Sequence, residues 1–163
     1  MTDAASLHDL LQRARQRLRG APVEALGELQ VRPRILGIPR APRIVPVGEA
    51  WHLGILLLTE DDVRETGHVV RARAEVRRGF TAESQRARAE LAAAARRGGF
   101  AEGQPVHVDW ITLDVRALTE RTSPLAVRDG VPMVRWSSAG GYVPLAGYLD
   151  ERIELLQHPP AGA

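Results

Sequence analysis

The chain has no cysteine, no lysine and no asparagine. Without cysteine there is no disulfide, no thiolate nucleophile and no thiolate metal ligand. Without lysine there is no Schiff base, no amine-activated serine and no Walker-type phosphate loop. All 22 basic side chains are therefore arginine. Aromatic residues make up only 4%, which leaves few rings for bases to stack on. Long apolar runs are missing too. The longest, residues 91–95, is far below the ~18 that a membrane span needs, and too short for the hydrophobic part of a signal peptide. With no targeting segment and no cysteine, the expectation is a cytoplasmic protein that makes no membrane contact.

The 163 residues suit one domain, with a net charge of only +2 despite a pI near 9.9. Arginine stays protonated to very high pH, so a small excess of it lifts the pI a long way. The charge is uneven along the chain. Residues 1–46 carry +4, 47–70 carry −4, 71–97 carry +5 and 98–163 carry −3. Alternating blocks of this kind suit self-association, with a symmetric dimer as the first expectation. A small anionic ligand is a second candidate partner. Nucleic acid is not expected: the acids nearly balance the arginines, and no helix-turn-helix, RNP-like or zinc-finger pattern occurs.

Periodicity predicts a first helix over 1–20, with Leu7, Leu10, Leu11, Ala14 and Leu18 on one face, Ser6 as its cap, and Arg13, Arg15, Arg17 and Arg19 off that face. Five prolines across 21–47 predict an extended arm with short pieces at 29–31 and 43–45 but no long strand. The core is expected over 48–157. A strand at 51–58 should pair with a half-buried strand at 68–76, and residues 59–62 should form a short turn between them. A second helix opens at Thr81 or Ser84 and buries Ala87, Leu91, Ala94 and Ala95. Gly98-Gly99-Phe100 reads as its left-handed cap. Strands follow at 106–113, 125–128 and 131–136, the last two joined by an Asp129-Gly130 turn. Trp136 is expected in the core. Pro144 should start a third helix with Leu145, Leu149, Ile153 and Leu156 inward, and 158–163 is a loose tail. These elements predict an α+β fold: a mainly antiparallel sheet of about five strands with three helices against it.

Three places carry candidate chemistry. His52 lies in GEAWHLGILLL beside Gly54, whose missing side chain would leave a hollow next to the imidazole. His107 and Asp109 stand two apart in a predicted strand, so they would share a face. That spacing lets a carboxylate orient an imidazole, or seats two ligands on one metal; separately, His68 could join Asp61 and Asp62 at the hairpin end. No convincing third ligand accompanies them, so neither a metal nor a cofactor is expected. Ser137 and Ser138 sit in a glycine-rich loop beside Arg135, where amides and hydroxyls could meet an anion.

The segments LGIPRAPRI, VGEAWHLGILLLTEDD, RARAELAAAARRGGFAEGQPV and GYLDERIELLQHPPAGA resemble a group of short actinobacterial proteins with no established function, some of which carry the name glutaminase. The resemblance covers most of the chain and implies amide hydrolysis. Serine-type glutaminases use a Ser-x-x-Lys pair and amidotransferase-type ones a cysteine, and this chain has neither residue type. No Gly-x-Ser-x-Gly elbow is present either. A hydrolase built here would take His52 or His107 as base, Asp109 as orienting carboxylate, and Ser137 or Ser138 as nucleophile or oxyanion donor. The leading expectation is instead a non-catalytic interaction or small-ligand-binding protein. Hydrolysis and anion or RNA binding through arginine patches are the alternatives.

Overall fold

The structure, a computed structural model, describes residues 2–75 and 82–162, with side chains from Leu7 onward. The fold is α+β. Its helices are α1 (Thr2–Leu18), α2 (Glu83–Arg97) and α3 (Leu145–Gln157). Its strands are β1 (Glu24–Gln30), β2 (Arg43–Leu53), β3 (Leu56–Leu58), β4 (Val63–Glu65), β5 (His68–Arg71), β6 (Pro105–Val108), β7 (Ile111–Thr112), β8 (Leu125–Arg128), β9 (Val131–Val134) and β10 (Val143–Pro144). A seven-strand sheet, mostly antiparallel, has the order β5-β6-β1-β2-β3-β4-β7, and a small sheet has the order β10-β9-β8. By internal packing the chain forms two compact units. The first comprises Met1–Val23, Ala50–Glu65 and Ile111–Ala163; the second comprises Glu24–Glu49 and Thr66–Trp110. Strand β2 runs through both, residues 43–49 in the second and 50–53 in the first.

The first unit is built on the leucine stripe of α1. Leu7, Leu11, Ala14 and Leu18 are buried with Leu53, Leu56, Leu125, Leu145, Leu149 and Ile153 in one apolar cluster. The predicted 51–58 strand is two strands. The chain reverses at Gly54-Ile55, pairing Trp51 with Leu58, His52 with Leu57 and Leu53 with Leu56. Gly54, at φ 66°, occupies the first of the two turn positions, where a type II′ hairpin requires a positive φ. This explains how both faces of the run can be apolar within so short a segment: two strands, not one, present it. A second tight turn, held by Thr59 N–H to Asp62 O at 3.0 Å, adds β4 to β3. The partner of β3 is thus β4, and the expected pairing with 68–76 does not form. The Asp129-Gly130 turn forms as read, with both residues at positive φ (48° and 75°). Trp136 is exposed, because β9 ends at Val134 and strand alternation no longer applies beyond it. Helix α1 begins before Ser6, and Pro144 sits at the N-cap of α3, one place ahead of the first helical residue.

The second unit packs α2 over β1, β5 and β6. Ile44, Val70, Ala72, Ala94, Ala95, Phe100, Val106 and Val108 form its core. Helix α2 ends in a Schellman motif: Phe100 N–H donates to Ala95 O and Gly99 N–H to Arg96 O, both at 3.3 Å, with Phe100 folded into the core. Only the C-terminal half of α2 is buried, so Ala87 is exposed, contrary to the predicted stripe. Two further expectations fail here. The arm contains the seven-residue strand β1, and its end begins the eleven-residue strand β2, which runs through Pro46. Residues 46–49 are exposed, so the proline's missing donor leaves no buried acceptor orphaned. Strand β5 spans His68–Arg71 and pairs with β6, not with the Trp51 strand. Alternation does persist one residue further, since Ala72 is buried and bonds Gln104 O at 3.0 Å. Val76 and Thr81 lie outside the described residues.

Candidate functional site

In the first unit His52 is half-buried on β2, and its Nε2 lies 2.9 Å from the carbonyl oxygen of Gly54. The hollow expected beside Gly54 is filled. A Cβ built on that glycine would overlap the Tyr148 hydroxyl and come within 3.2 Å of Arg152 Nε. Tyr148, on α3, donates to Leu53 O and accepts from Ile55 N–H, each at 2.9 Å. One phenol thereby satisfies two backbone groups of the hairpin turn, which otherwise would be orphaned in an apolar setting. The glycine serves the turn and leaves room for the tyrosine.

Ser137 and Ser138 occupy a loop that closes on itself. The Ala139 amide donates to Ser137 Oγ at 3.2 Å, and Gly140 N–H to Ser137 O at 3.2 Å. Arg135 donates inward, from Nε to Gly140 O at 3.2 Å and from a terminal nitrogen to Ser138 O at 2.5 Å. The guanidinium expected to help an anion is thus spent on carbonyls of its own loop, and two of the loop amides face inward. A second arginine also departs from expectation. Arg15, read as lying off the buried face, is buried and donates to Thr59 O at 2.8 Å. Burial pushes its guanidinium below the ordinary value, and the nearby charges of Asp61, Glu60 and Asp62 oppose that shift.

In the second unit His107 is fully buried on β6, and the carboxylate that meets it is Glu24 on β1. The hydrogen bond joins His107 Nε2 and Glu24 Oε2. Strands β1 and β6 run parallel with Leu26 opposite His107. Nothing in the local spacing announces that a residue eighty-three positions away supplies the acid. Asp109, the carboxylate read from sequence as the partner, lies beyond the end of β6 at φ 56°, exposed. That left-handed residue breaks the strand, so the two-residue alternation that would have put it beside His107 is lost. Glu24 and His107 each offer a ligand atom of a kind that a zinc ion could take.

An open groove of about 1500 Å³ lies between α2 and β5 in the second unit. Val69 and Ala87 contribute exposed apolar surface to it, and Arg71, Arg73, Arg86 and Arg88 contribute cations. Its acids are partly engaged. Glu75 lies 3.9 Å from Arg97, and Glu102 lies 3.6 Å from Arg96 and accepts from Ala74 N–H at 3.0 Å. Among the described residues, Arg73, Arg86 and Arg88 form no ion pair. The arginine excess of residues 71–97 was legible in the sequence. The convergence of Arg71, Arg73, Arg86 and Arg88 on one groove needed α2 to be laid beside β5.

No protein-family model, no curated protein and no solved structure matches this chain.

Proposed function

We propose that this protein is a non-catalytic binding protein whose ligand is a small anion held in the groove between α2 and β5. The carrying observation is that Arg73, Arg86 and Arg88 line that groove without an ion pair among the described residues. Unpaired guanidinium groups along a concave wall raise the local potential and offer forked donors to carboxylate or phosphate oxygens. The apolar stretch formed by Val69 and Ala87 lets the same groove accept the carbon skeleton of such a ligand. The side chains that would serve hydrolysis support this reading less well. His107 is fully buried against Glu24, and the Ser137 hydroxyl accepts from its own loop.

The test is thermal denaturation with citrate and with pyrophosphate as probes. A ligand present at about 100 times its Kd stabilises by about 2.7 kcal/mol, which corresponds to a rise of roughly 5–10 °C for a chain of this size. The rise should shrink with added salt and disappear in Arg86→Ala/Arg88→Ala. Neither probe shifting the melting temperature, or a shift that the double variant retains, rules the groove out.

A further inference from the structure

Between β1 and β2 the chain runs through residues 31–42, a segment that the anion-binding reading does not use. Here the large aliphatic side chains point at water. Val31 is 84% exposed, Ile35 52%, Leu36 95% and Ile38 66%. Three of these rank among the most exposed large apolar side chains of the described residues, within eight positions of one another. The tip is ordered by hydrogen bonds. Ile35 N–H donates to Ile38 O at 3.2 Å and Ile38 N–H to Ile35 O at 2.9 Å. Leu36 and Gly37 make the turn with both φ values positive, 51° and 77°. An aliphatic L-residue rarely adopts that conformation, and here it holds Leu36 at the apex of a miniature hairpin. Pro33, Pro39 and Pro42 stiffen the flanks by fixing φ. The root is tied down twice, by Arg43 Nε to Gln30 Oε1 at 3.3 Å and by Arg97 Nε to Pro42 O at 2.9 Å.

Charge identifies what this tip fits. Residues 31–43 contain Arg32, Arg34, Arg40 and Arg43 and not one acidic residue. We propose that this loop is a peripheral membrane anchor, which places Leu36 and its aliphatic neighbours in the interface of an anionic bilayer while the four arginines meet lipid phosphates. Exposed aliphatic side chains ringed by cations are the composition that binds such interfaces, because apolar burial and attraction to anionic headgroups add. A symmetric contact of loop on loop between two copies would instead bring eight arginines together with no acid of either loop to offset them. The expectation of no membrane contact rested on the absence of a spanning segment, and a surface anchor needs none.

The experiment is co-sedimentation of the full chain with vesicles of phosphatidylcholine alone and of phosphatidylcholine mixed with phosphatidylglycerol, together with sizing in the absence of lipid. Binding is expected to the mixed vesicles, at least tenfold weaker to phosphatidylcholine, and weakened by salt. Each arginine removed should cost about fivefold in partitioning. Leu36→Asn tolerates the positive φ while removing the apolar tip, and should reduce binding more than tenfold in combination with Ile38→Thr. Arg34→Glu, at an exposed position, serves as a second variant that leaves the turn untouched. Three results overturn the proposal: no sedimentation with anionic vesicles; binding that survives both sets of substitutions; or a concentration-dependent mass without lipid that the same substitutions abolish, which would assign the loop to a second copy.

Discussion

Replacing Gly54 by alanine perturbs the hairpin turn in two separable ways. Alanine at φ 66° is strained whatever surrounds it, and a left-handed non-glycine residue costs about 1–2 kcal/mol. Its Cβ also overlaps the Tyr148 hydroxyl, so the phenol must withdraw. Withdrawal gives up the bonds to Leu53 O and Ile55 N–H, and leaving two such backbone groups unpaired costs about 2–3 kcal/mol together. Gly54→Ala should therefore destabilise the protein by about 4 kcal/mol. Tyr148→Phe removes the same two bonds and should cost about 2–3 kcal/mol. In the double variant the hydroxyl is already gone, and only the backbone strain adds to its loss. The ring carbon that remains, at 3.2 Å from the new methyl, is a tight contact that a small shift relieves. The double variant should then fall about 2 kcal/mol short of the sum of the singles, the size of coupling expected of residues that share one contact. Urea denaturation of the four proteins, followed by near-UV circular dichroism, measures the cycle. Additive single effects would refute the account, because the hydroxyl would then not be what the methyl group meets.

Two further predictions concern the other glycine contact and the buried arginine. A Cβ on Gly98 would strike the backbone carbonyl of Ile44, whereas one on Gly99 meets open space at φ 108°. Gly98→Ala should thus cost more than about 3 kcal/mol, since backbone cannot yield as a side chain does, against about 1–2 kcal/mol for Gly99→Ala. Equal urea midpoints for the two variants would contradict this. Arg15→Met keeps the stem but leaves Thr59 O without its donor, so a loss of about 1–2 kcal/mol is expected. The guanidinium is shifted downward by burial, which makes its charged form the costlier one in the fold. The contribution of that shift changes only as pH rises through the lowered value toward the unfolded one. Arginine remains protonated throughout ordinary buffers, so the loss should be constant from about pH 6 to about pH 9. A loss that varies across that range would point to a different ionising group.

Much of the local architecture was legible without coordinates. The α1 stripe, the Asp129-Gly130 turn and the Gly98-Gly99-Phe100 cap all followed from side-chain period or from the backbone freedom of particular residues, which are interactions between near neighbours in the chain. The misread segments failed for identifiable reasons. The 51–58 run is apolar on both faces, so periodicity could not reveal that Gly54 folds it in two. The 106–113 run was cut by a left-handed Asp109 that no composition rule anticipates. Arg15 looked solvent-facing because its burial depends on a turn forty-four residues away.

For the candidate site the division is sharper. His52, His107 and the arginine blocks stand out from the letters alone, because residue type carries their chemistry. Their partners do not. That His107 meets Glu24 depends on a parallel pairing of β1 with β6, and that Arg71, Arg73, Arg86 and Arg88 line one groove depends on α2 lying along β5. Pairing between distant strands is set by which faces must be buried together, a condition on the whole core rather than on any window of sequence. The chain's letters thus decided which side chains are available and which chemistries are closed, cysteine and lysine chemistry first among them. Tertiary packing decided which of those side chains are spent on holding turns and which line an open groove.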